Sequence, residues 1–113
     1  MIMARPTTVK LSVIGPVFNE AVVIEEFYKR LVKVLAVLAP DFEMIFVDDG
    51  SNDDTLDRLK KLHQEDNRIK IISFSRNFGH AVAITAGLER ATGDIAVIMD
   101  TDLQDPPEVL PRL

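Results

Sequence analysis

The chain has 113 residues, a length typical of one domain, and 47% of them are hydrophobic, which is enough to bury a core. Its net charge is −5, and its 13 basic residues are scattered among 18 acidic ones, which argues against nucleic acid as a partner. The absence of cysteine excludes disulfides and thiolate metal sites. No apolar stretch approaches the ~20 residues of a membrane crossing. Residues 1–6 lack the charged-then-apolar order of a signal peptide, so we expect a cytoplasmic chain.

Residues 1–8 are predicted to form a tail and residues 9–113 one domain. Apolar runs rich in β-branched residues predict strands at residues 11–14, 44–47, 69–72 and 95–99. The runs are mostly continuous, which is typical of strands covered on both faces. Between them, apolar residues at helical spacing predict helices over 24–38, which Pro40 ends, over 56–62, and over 81–88, before Gly93. This alternation predicts an α/β fold, a Rossmann-like parallel sheet of about four strands flanked by helices.

Another helix start follows the fourth predicted strand. In Asp105-Pro106-Pro107-Glu108, the aspartate caps the helix, a proline takes its first position and the glutamate its third. The sequence ends at Leu113, about one helical turn later. Natural domains rarely stop at such a point, so we expect the sequence to be a truncated part of a longer domain.

Each predicted strand runs into a polar loop, formed by residues 16–20, 48–53, 75–80 and 100–105. The carboxyl ends of parallel strands meet at one edge, and ligands of open α/β sheets bind in the crevice beyond it. At least five carboxylates, an arginine and a histidine are therefore expected along one rim of the sheet.

Asp100 and Asp102 stand one residue apart at the end of the fourth predicted strand, so both carboxylates can turn toward one cation. A hard divalent ion such as Mg²⁺ or Mn²⁺ takes oxygen ligands and keeps waters and substrate phosphates in its shell. Gln104, on the same side by alternation, can add an amide oxygen. The alternative is a solvated acidic turn in which Asp105 caps the next helix. Because the pair ends a buried apolar strand, we favour the metal site.

Asp48 and Asp49 close the second predicted strand. Adjacent carboxylates repel, so their clustering requires a cation or a donor-rich ligand, and an acid here can accept hydrogen bonds from a ribose or a base. The alternative is local chemistry, since Asp-Gly is an ordinary turn pair and Ser51 or Asp53 can start the next helix. Capping accounts well for Asp53 and less well for Asp48.

Three further polar residues of the rim have two interpretations each. Glu20 either lines a nucleoside pocket or belongs to the start of the first helix, where its charge suits the helix dipole. Arg76 either meets a diphosphate or lies on the surface. His80 opens the third helix, which is more typical of a capping or packing residue than of a base.

These loops resemble one family. The ordered signatures of family 2 inverting glycosyltransferases of the GT-A fold are similar to Pro16-Val17-Phe18-Asn19-Glu20, Val47-Asp48-Asp49-Gly50-Ser51-x-Asp53, Asn77-x-Gly79-His80 and Asp100-x-Asp102-Leu103-Gln104-Asp105-Pro106-Pro107-Glu108. The last motif is similar to that of the polyprenyl-phosphate branch, which includes dolichol-phosphate mannose synthases and bactoprenol glucosyltransferases. The resemblance covers residues 9–110 and implies the N-terminal, nucleotide-binding half of a GT-A fold.

The resemblance implies a UDP- or GDP-sugar donor whose diphosphate is held by Mg²⁺ or Mn²⁺ on Asp102 and Gln104, with help from Asp100. It further implies that Asp48 or Asp49 contacts the base or ribose and that three residues, Pro16, Phe18 and Glu20, line the nucleoside pocket. We also assign Arg76 and Asp100 to the nucleotide site. Members often carry tyrosine at the position of Phe18, so a phenol hydrogen bond is absent here while stacking remains.

The implied reaction is inverting transfer to a polyprenyl phosphate in the cell envelope. The metal would act as a Lewis acid on the leaving diphosphate. The acceptor phosphate is already ionised at neutral pH, so a strong general base is dispensable. Acceptor contacts and any catalytic base are expected beyond these residues, in a full-length protein at the cytoplasmic face of the membrane.

Three other functions are alternatives to glycosyl transfer. A nicotinamide-dependent Rossmann enzyme should show G-x-G-x-x-G after the first strand, where Gly15 stands alone. A phosphotransfer-type Mg²⁺-binding α/β domain should carry a lysine on a later strand, and none follows Lys70. The third alternative is a module that binds the donor without turnover.

The fourth predicted strand also affects whether copies of the chain associate. In the family's sheet it lies inside, whereas here it should form an apolar edge without lysine, which templates pairing with another chain. We therefore expect a homo-oligomer built around residues 94–99 and the closing segment. The competing expectation is that the closing turn folds back over this edge and leaves a monomer.

Overall fold

A computed structural model describes residues 9–38, 41–103 and 106–112 of the chain, with the backbone alone at 109, 111 and 112. Strands and α-helices alternate, and a 3₁₀ helix follows the last strand. In chain order the elements are β1 (Leu11–Val17), α1 (Ile24–Leu38), β2 (Phe42–Asp48), α2 (Thr55–Glu65), β3 (Ile69–Ser73), α3 (His80–Arg90), β4 (Ile95–Ile98) and the 3₁₀ helix Pro107–Arg112. The predicted α/β alternation is confirmed.

The four strands form one parallel sheet in the order β3-β2-β1-β4. β1 pairs with β2 from Leu11 opposite Phe42 to Val17 opposite Asp48, and with β4 from Leu11 opposite Ile95 onwards. The chain therefore moves outward from β1 to β3 and then returns to the other side of β1. This reversal places a crevice at the carboxyl ends of β1 and β4, the position where such sheets bind ligands.

Both faces of the central strands are covered. Alternate residues of a strand point to opposite faces, so Val13 and Met44 join the core formed with α1 and α2, while Ile14 and Ile45 join the core under α3. All residues of β1 and β2 are buried, which explains why their sequences read as continuous apolar runs. None of the helices among the described residues is long and apolar enough to cross a membrane.

The expectation that all four strands are covered on both faces was wrong for β3 and β4. These strands lie at the two edges of the sheet, where a neighbour is present on one side. Ile71 and Ile72 in β3 are half-buried, and in β4 Ile95 and Ile98 are 52% and 45% exposed.

β1 also runs further than its apolar run predicts, so Pro16 and Val17 end the strand instead of opening the loop. A proline is tolerated in this central strand because pairing with β4 stops at Ile14. Its carbonyl, on the β4 side, accepts a hydrogen bond from Thr101 Oγ1 at 3.3 Å, so the missing N–H breaks no ladder bond.

The helix predicted after residue 105 is a 3₁₀ helix that begins at Pro107. It packs on α1, where Leu110 is 4% exposed and Glu108 makes two hydrogen bonds with the Arg30 guanidinium, at 3.0 and 2.5 Å. Asp105, the predicted cap, lies outside the described residues.

Candidate functional site

A cavity of about 330 Å³ lies beyond the carboxyl ends of β1 and β4. Its lining residues come from the ends of all four strands or the loops that follow them: Pro16, Val17, Phe18, Glu20, Asp49, Asn77, Gly79, His80, Asp100, Thr101 and Asp102. The structure thus brings together most of the residues that the sequence singled out. Asn77, Gly79 and Thr101 line the cavity as well, although no role of their own was predicted for them from the sequence.

The loop between β1 and α1 is tied to the loop after β2. Asn19, which adopts a left-handed φ of 51°, donates its N–H to Ser51 Oγ (2.9 Å) and accepts from the Asn52 N–H (2.8 Å). The Glu20 N–H donates to Thr55 Oγ1 at 3.0 Å. These bonds fix the direction in which the chain leaves β1.

Glu20 lies at the start of the first helix, ahead of the regular helix that begins at Ile24, and it lines the cavity as well. Its carbonyl accepts the N–H of Ile24, the first residue of α1, at 3.0 Å, while its carboxylate lines the cavity. Burial raises the pKa of Glu20, and the carboxylates of Asp102, Asp53 and Asp100 raise it further. The cavity mouth is therefore a region of negative potential.

The two adjacent aspartates at the end of β2 have different partners. Asp48, 2% exposed, accepts a hydrogen bond from Ser51 Oγ at 2.5 Å. Asp49, 5% exposed, accepts hydrogen bonds from the backbone N–H groups of Phe78 (2.7 Å) and Gly79 (3.2 Å). Donors within the protein therefore offset the repulsion that the sequence led us to assign to a ligand or a cation. Asp53 stands one residue before Asp54, the N-cap of α2, and its carboxylate accepts the Thr55 N–H at 2.9 Å, so its role is local to the start of the helix but it is not the cap itself.

Phe18 lies between two cavities. Its side chain is 41% exposed and lines both the first cavity and a second one of about 290 Å³, which Asp48 and Arg76 also line. The Arg76 guanidinium sits over the Phe78 ring, 4.3 Å from its centroid, so this exposed arginine is held beside the second cavity by a cation–π contact.

The acidic loop after β4 is held against β1. Thr101, 1% exposed, donates to the Pro16 carbonyl, which places Asp100 and Asp102 on either side of an anchored residue. His80 Nε2 lies 4.0 Å from Asp100 Oδ1, and its side chain is 64% exposed, so the packing interpretation of His80 was wrong. Leu103 follows with a left-handed φ of 68°.

Gln104, the third predicted metal ligand, lies outside the described residues. In the portion of the chain that the structure describes, no group of three or more His, Asp or Glu side chains has an arrangement that could hold a metal ion.

Solved structures of GT-A glycosyltransferases have the same fold, a parallel sheet flanked by helices. One is a mannosyltransferase from Pyrobaculum calidifontis in complex with GDP-Man and Mn²⁺, with a TM-score of 0.76 and 27% identity over 86% of this chain and 28% of that one. Another is Staphylococcus aureus TarS 1–349 in complex with UDP, with a TM-score of 0.72 and 31% identity over 82% of this chain and 27% of that one.

The chain belongs to glycosyl transferase family 2, whose profile matches residues 12–113. It is 47% identical over 102 residues to the uncharacterized glycosyltransferase YkcC of Bacillus subtilis, covering 90% of this chain and 32% of that protein. It is 42% identical over 104 residues to a bactoprenol glucosyl transferase of Shigella phage SfX, covering 92% of this chain and 34% of that protein. The chain thus spans about a third of the length of these relatives.

Proposed function

We propose that the cavity at the ends of β1 and β4 binds a nucleotide-diphosphate sugar through a divalent cation, for glycosyl transfer to a polyprenyl phosphate in the full-length protein. One observation carries the proposal: Glu20, Asp100 and Asp102 line one cavity, and their mutual repulsion contributes to the raised pKa of Glu20. A cation and its diphosphate would relieve that repulsion.

The residues fit a hard divalent cation. Carboxylate oxygens of Asp100 and Asp102 are the ligand type that Mg²⁺ and Mn²⁺ prefer, and the Gln104 amide oxygen would complete the protein's share of the shell. When bound, the cation would neutralise the charge that develops on the leaving diphosphate. The buried Thr101 would keep both aspartates at the mouth of the cavity through its bond to β1.

The nucleoside would lie toward the second cavity. Phe18 faces both cavities, so its ring can support a base while the diphosphate reaches the acidic loop. Asp48 and Arg76 line the second cavity and would contact the base, ribose or phosphates, while Pro16 and Glu20 would bound the first. The GDP-Man and UDP complexes of the similar structures support a nucleotide donor of either base.

The acceptor is inferred from relatives. The Shigella phage relative is named a bactoprenol glucosyl transferase, and a Proteus mirabilis relative is named for transfer to undecaprenyl phosphate. A phosphate acceptor is ionised at neutral pH and needs no strong general base from this chain. Such an acceptor would place the full-length protein at the cytoplasmic face of a membrane.

Two alternatives remain distinguishable from this proposal. A phosphotransfer-type Mg²⁺ domain would show metal binding without preference for a nucleotide. A donor-binding module without turnover would bind the nucleotide–metal pair but transfer no sugar, and the chain's coverage of about a third of its relatives favours this behaviour for the 113 residues alone.

We also propose that the chain self-associates through β4. Along the ranges that the structure describes, β4 pairs with β1 alone, and Ile95 and Ile98 are about half exposed. An apolar edge of this kind favours pairing with a second copy.

Isothermal calorimetry with UDP and GDP, in Mn²⁺ and in EDTA, tests the donor proposal. We expect at least one nucleotide to bind about tenfold more tightly with Mn²⁺, and Asp102→Ala to remove that difference. Asp57→Asn, an exposed position on α2, is the charge-matched control and should retain it. Equal affinities in Mn²⁺ and EDTA for the unmodified chain would contradict the proposal.

A further inference from the structure

The acidic loop joins β4 to the 3₁₀ helix, and side chains that face the core alternate in it with side chains that line the cavity. Thr101 is 1% exposed, and Leu103 packs against the core formed with α1 and α2. Asp100 and Asp102 line the cavity. The position of the two carboxylates therefore depends on how the loop is seated on the core.

Leu103 has a backbone conformation that leucine rarely adopts. Its φ of 68° lies in the left-handed region, where a Cβ crowds the backbone. Such a conformation persists only where the surrounding contacts impose it. On the β4 side, the Met99 N–H donates to the Ile14 carbonyl at 2.9 Å, and Thr101 Oγ1 donates to the Pro16 carbonyl at 3.3 Å. Further along the chain, the described contacts are those of the 3₁₀ helix.

The 3₁₀ helix is attached to α1 by an apolar contact and by an ion pair. Leu110 is 4% exposed and belongs to the core cluster against which Leu103 packs. Arg30 Nε and Nη2 donate to the two carboxylate oxygens of Glu108, at 3.0 and 2.5 Å. Through these hydrogen bonds the guanidinium lowers the pKa of Glu108, which is therefore ionised at neutral pH.

The two contacts contribute in different ways. The side chains of Arg30 and Glu108 are 34% and 50% exposed, and exposed ion pairs contribute little free energy, so the burial of Leu110 accounts for most of the attachment. A paired fork of hydrogen bonds between a guanidinium and a carboxylate is specific in direction. Leu110 therefore holds the 3₁₀ helix on α1, and Arg30 sets its orientation there.

We propose that the 3₁₀ helix positions the acidic loop for the donor cation, with Arg30 and Leu110 as the positioning residues. Attachment to α1 fixes the far end of the loop, as the bond from Thr101 fixes the near end. Asp100 and Asp102 then keep the separation that one cation requires. Arg30 and Leu110 are not among the residues that line the cavity, so they act through the loop. The inference rests on the proposed donor site.

A positioning role predicts a loss that is confined to metal-linked binding. If the cation binds only when the loop is held, the apparent affinity in Mn²⁺ falls with the fraction of molecules in which the 3₁₀ helix is attached. The weaker affinity of the nucleotide in EDTA does not depend on that fraction. The diagnostic quantity is therefore the ratio of the nucleotide affinities in Mn²⁺ and in EDTA, which a general loss of stability leaves unchanged.

Calorimetry with UDP and GDP in Mn²⁺ and in EDTA measures this ratio. We expect Leu110→Ala to remove most of the tenfold preference for Mn²⁺, and Arg30→Glu, which places two carboxylates together, to lower it about threefold. The exchanged pair Arg30→Glu with Glu108→Arg should restore the ratio, because the ion pair forms again with its charges reversed.

Two variants are matched controls. Lys33→Ala removes a positive charge from an exposed position of the same helix, and Leu62→Ala truncates a buried leucine on α2. Both should keep the ratio of the unmodified chain. The inference is overturned if Leu110→Ala lowers the ratio no more than Leu62→Ala, if Arg30→Glu leaves it unchanged, or if the exchanged pair does not restore it. Should Leu110→Ala fail to fold, the exposed Arg30 and Glu108 variants decide.

Nuclear spin relaxation follows the loop without any ligand. We expect the Asp102 and Leu103 amides of the unmodified chain to have order parameters near the value of about 0.85 that is typical of rigid backbone, and Arg30→Glu and Leu110→Ala to lower them. If the unmodified chain binds neither nucleotide with a preference for Mn²⁺, the proposed donor site fails. The order parameters then still decide: a decrease in both variants supports the holding role of the 3₁₀ helix, and unchanged values refute it.

Discussion

At the edge of the sheet opposite the cavity, one buried carboxylate joins three strands. Glu43, 2% exposed, accepts hydrogen bonds from Ser12 Oγ (2.6 Å) in β1, Lys70 Nζ (2.5 Å) in β3 and the N–H of Thr92 (2.6 Å) before β4. Burial alone would raise the pKa of Glu43, but the bonds from Lys70, Ser12 and Thr92 outweigh it and lower that pKa to about 2. Glu43 is therefore kept ionised by its surroundings.

Because the pKa of Glu43 falls from 4.5 to about 2 on folding, the ionised form stabilises the fold above pH 4.5, and this contribution is lost as the pH falls toward 2. The Lys70 side chain is 46% exposed, so water screens part of the interaction. We expect Glu43→Gln to lower the free energy of unfolding at pH 7 by about 1–3 kcal/mol. Its stability should also depend less on pH in the acid range.

Urea denaturation at a series of pH values measures this effect. The pKa of Asp66 is also lowered to about 2, so Asp66 makes both proteins less stable at acid pH. Its contribution is the same in both and cancels when their free energies of unfolding are subtracted. Glu89→Gln, at an exposed position of α3, is the matched control. Stability curves for Glu43→Gln and the unmodified chain that run parallel from neutral to acid pH would refute the assigned role of Glu43.

The sequence predicts which residues gather at the rim, but it does not predict which groups their side chains contact. Parallel strands necessarily bring Glu20, Asp49 and Asp100 to one edge. Whether Asp49 turns to a ligand or to a backbone depends on how closely two loops approach, and that distance is set by tertiary packing. Thr101 was missed because a hydroxyl residue between two aspartates gives no charge signal of its own.

Among the elements, α3 lies unusually close to the sheet. Ala83 and Gly87 are its buried residues, and a Cβ at Gly87 would lie 2.4 Å from Ile14 Cγ2 and 3.3 Å from Val47 Cγ2. Helix propensity alone favours alanine over glycine by about 1 kcal/mol. The contact with Ile14 opposes that gain, because a packed core gives way only at a cost.

We expect Gly87→Ala to destabilise the fold by about 1–3 kcal/mol, because overpacking outweighs helix propensity. Chemical denaturation measures the change. Thr85→Ala, at an exposed position of the same helix, isolates the propensity term and should be neutral or slightly stabilising. A Gly87→Ala variant that is more stable than the unmodified chain would show that α3 can move away from β1 without loss.

The sequence predicts α1 and the central strands better than it predicts the edge strands. The amphipathic spacing predicts α1 with the observed bounds, and the apolar runs find part of every strand. β2 begins earlier than predicted, at Phe42, because Glu43 interrupts the apolar pattern although it is buried. The exposure of β3 was not predictable from its residues, since strand order decides which strands are edges and local patterns do not contain that order. The edge position of β4 was expected only because the family resemblance supplied an order for the sheet.

For the whole molecule, the apolar edge of β4 predicts association. The 3₁₀ helix packs on α1, whereas the competing expectation has the closing turn fold back over the β4 edge, and Ile95 and Ile98 remain about half exposed. We expect light scattering after size exclusion, at low micromolar concentration, to give a mass above the 12.6 kDa of one chain. A lysine on an edge strand blocks pairing, so Ile98→Lys should shift the mass toward one chain.

Val37→Lys is the control, since Val37 is 87% exposed on α1 and away from the edge of the sheet. It should leave the mass unchanged. A mass of one chain for the unmodified protein would count decisively against association through β4.

The proposed donor site lies at the rim formed by the β1–α1 loop and the acidic loop, where a divalent cation would hold the nucleotide. Paramagnetic Mn²⁺ broadens the amide resonances of nearby residues, so it locates the cation directly. With UDP or GDP present, we expect substoichiometric Mn²⁺ to broaden first the amides of Glu20, Asp100 and Asp102, while those of residues 62–70 stay sharp. Asp102→Ala should abolish the selective broadening. Uniform broadening, or broadening centred away from these three residues, would contradict the account.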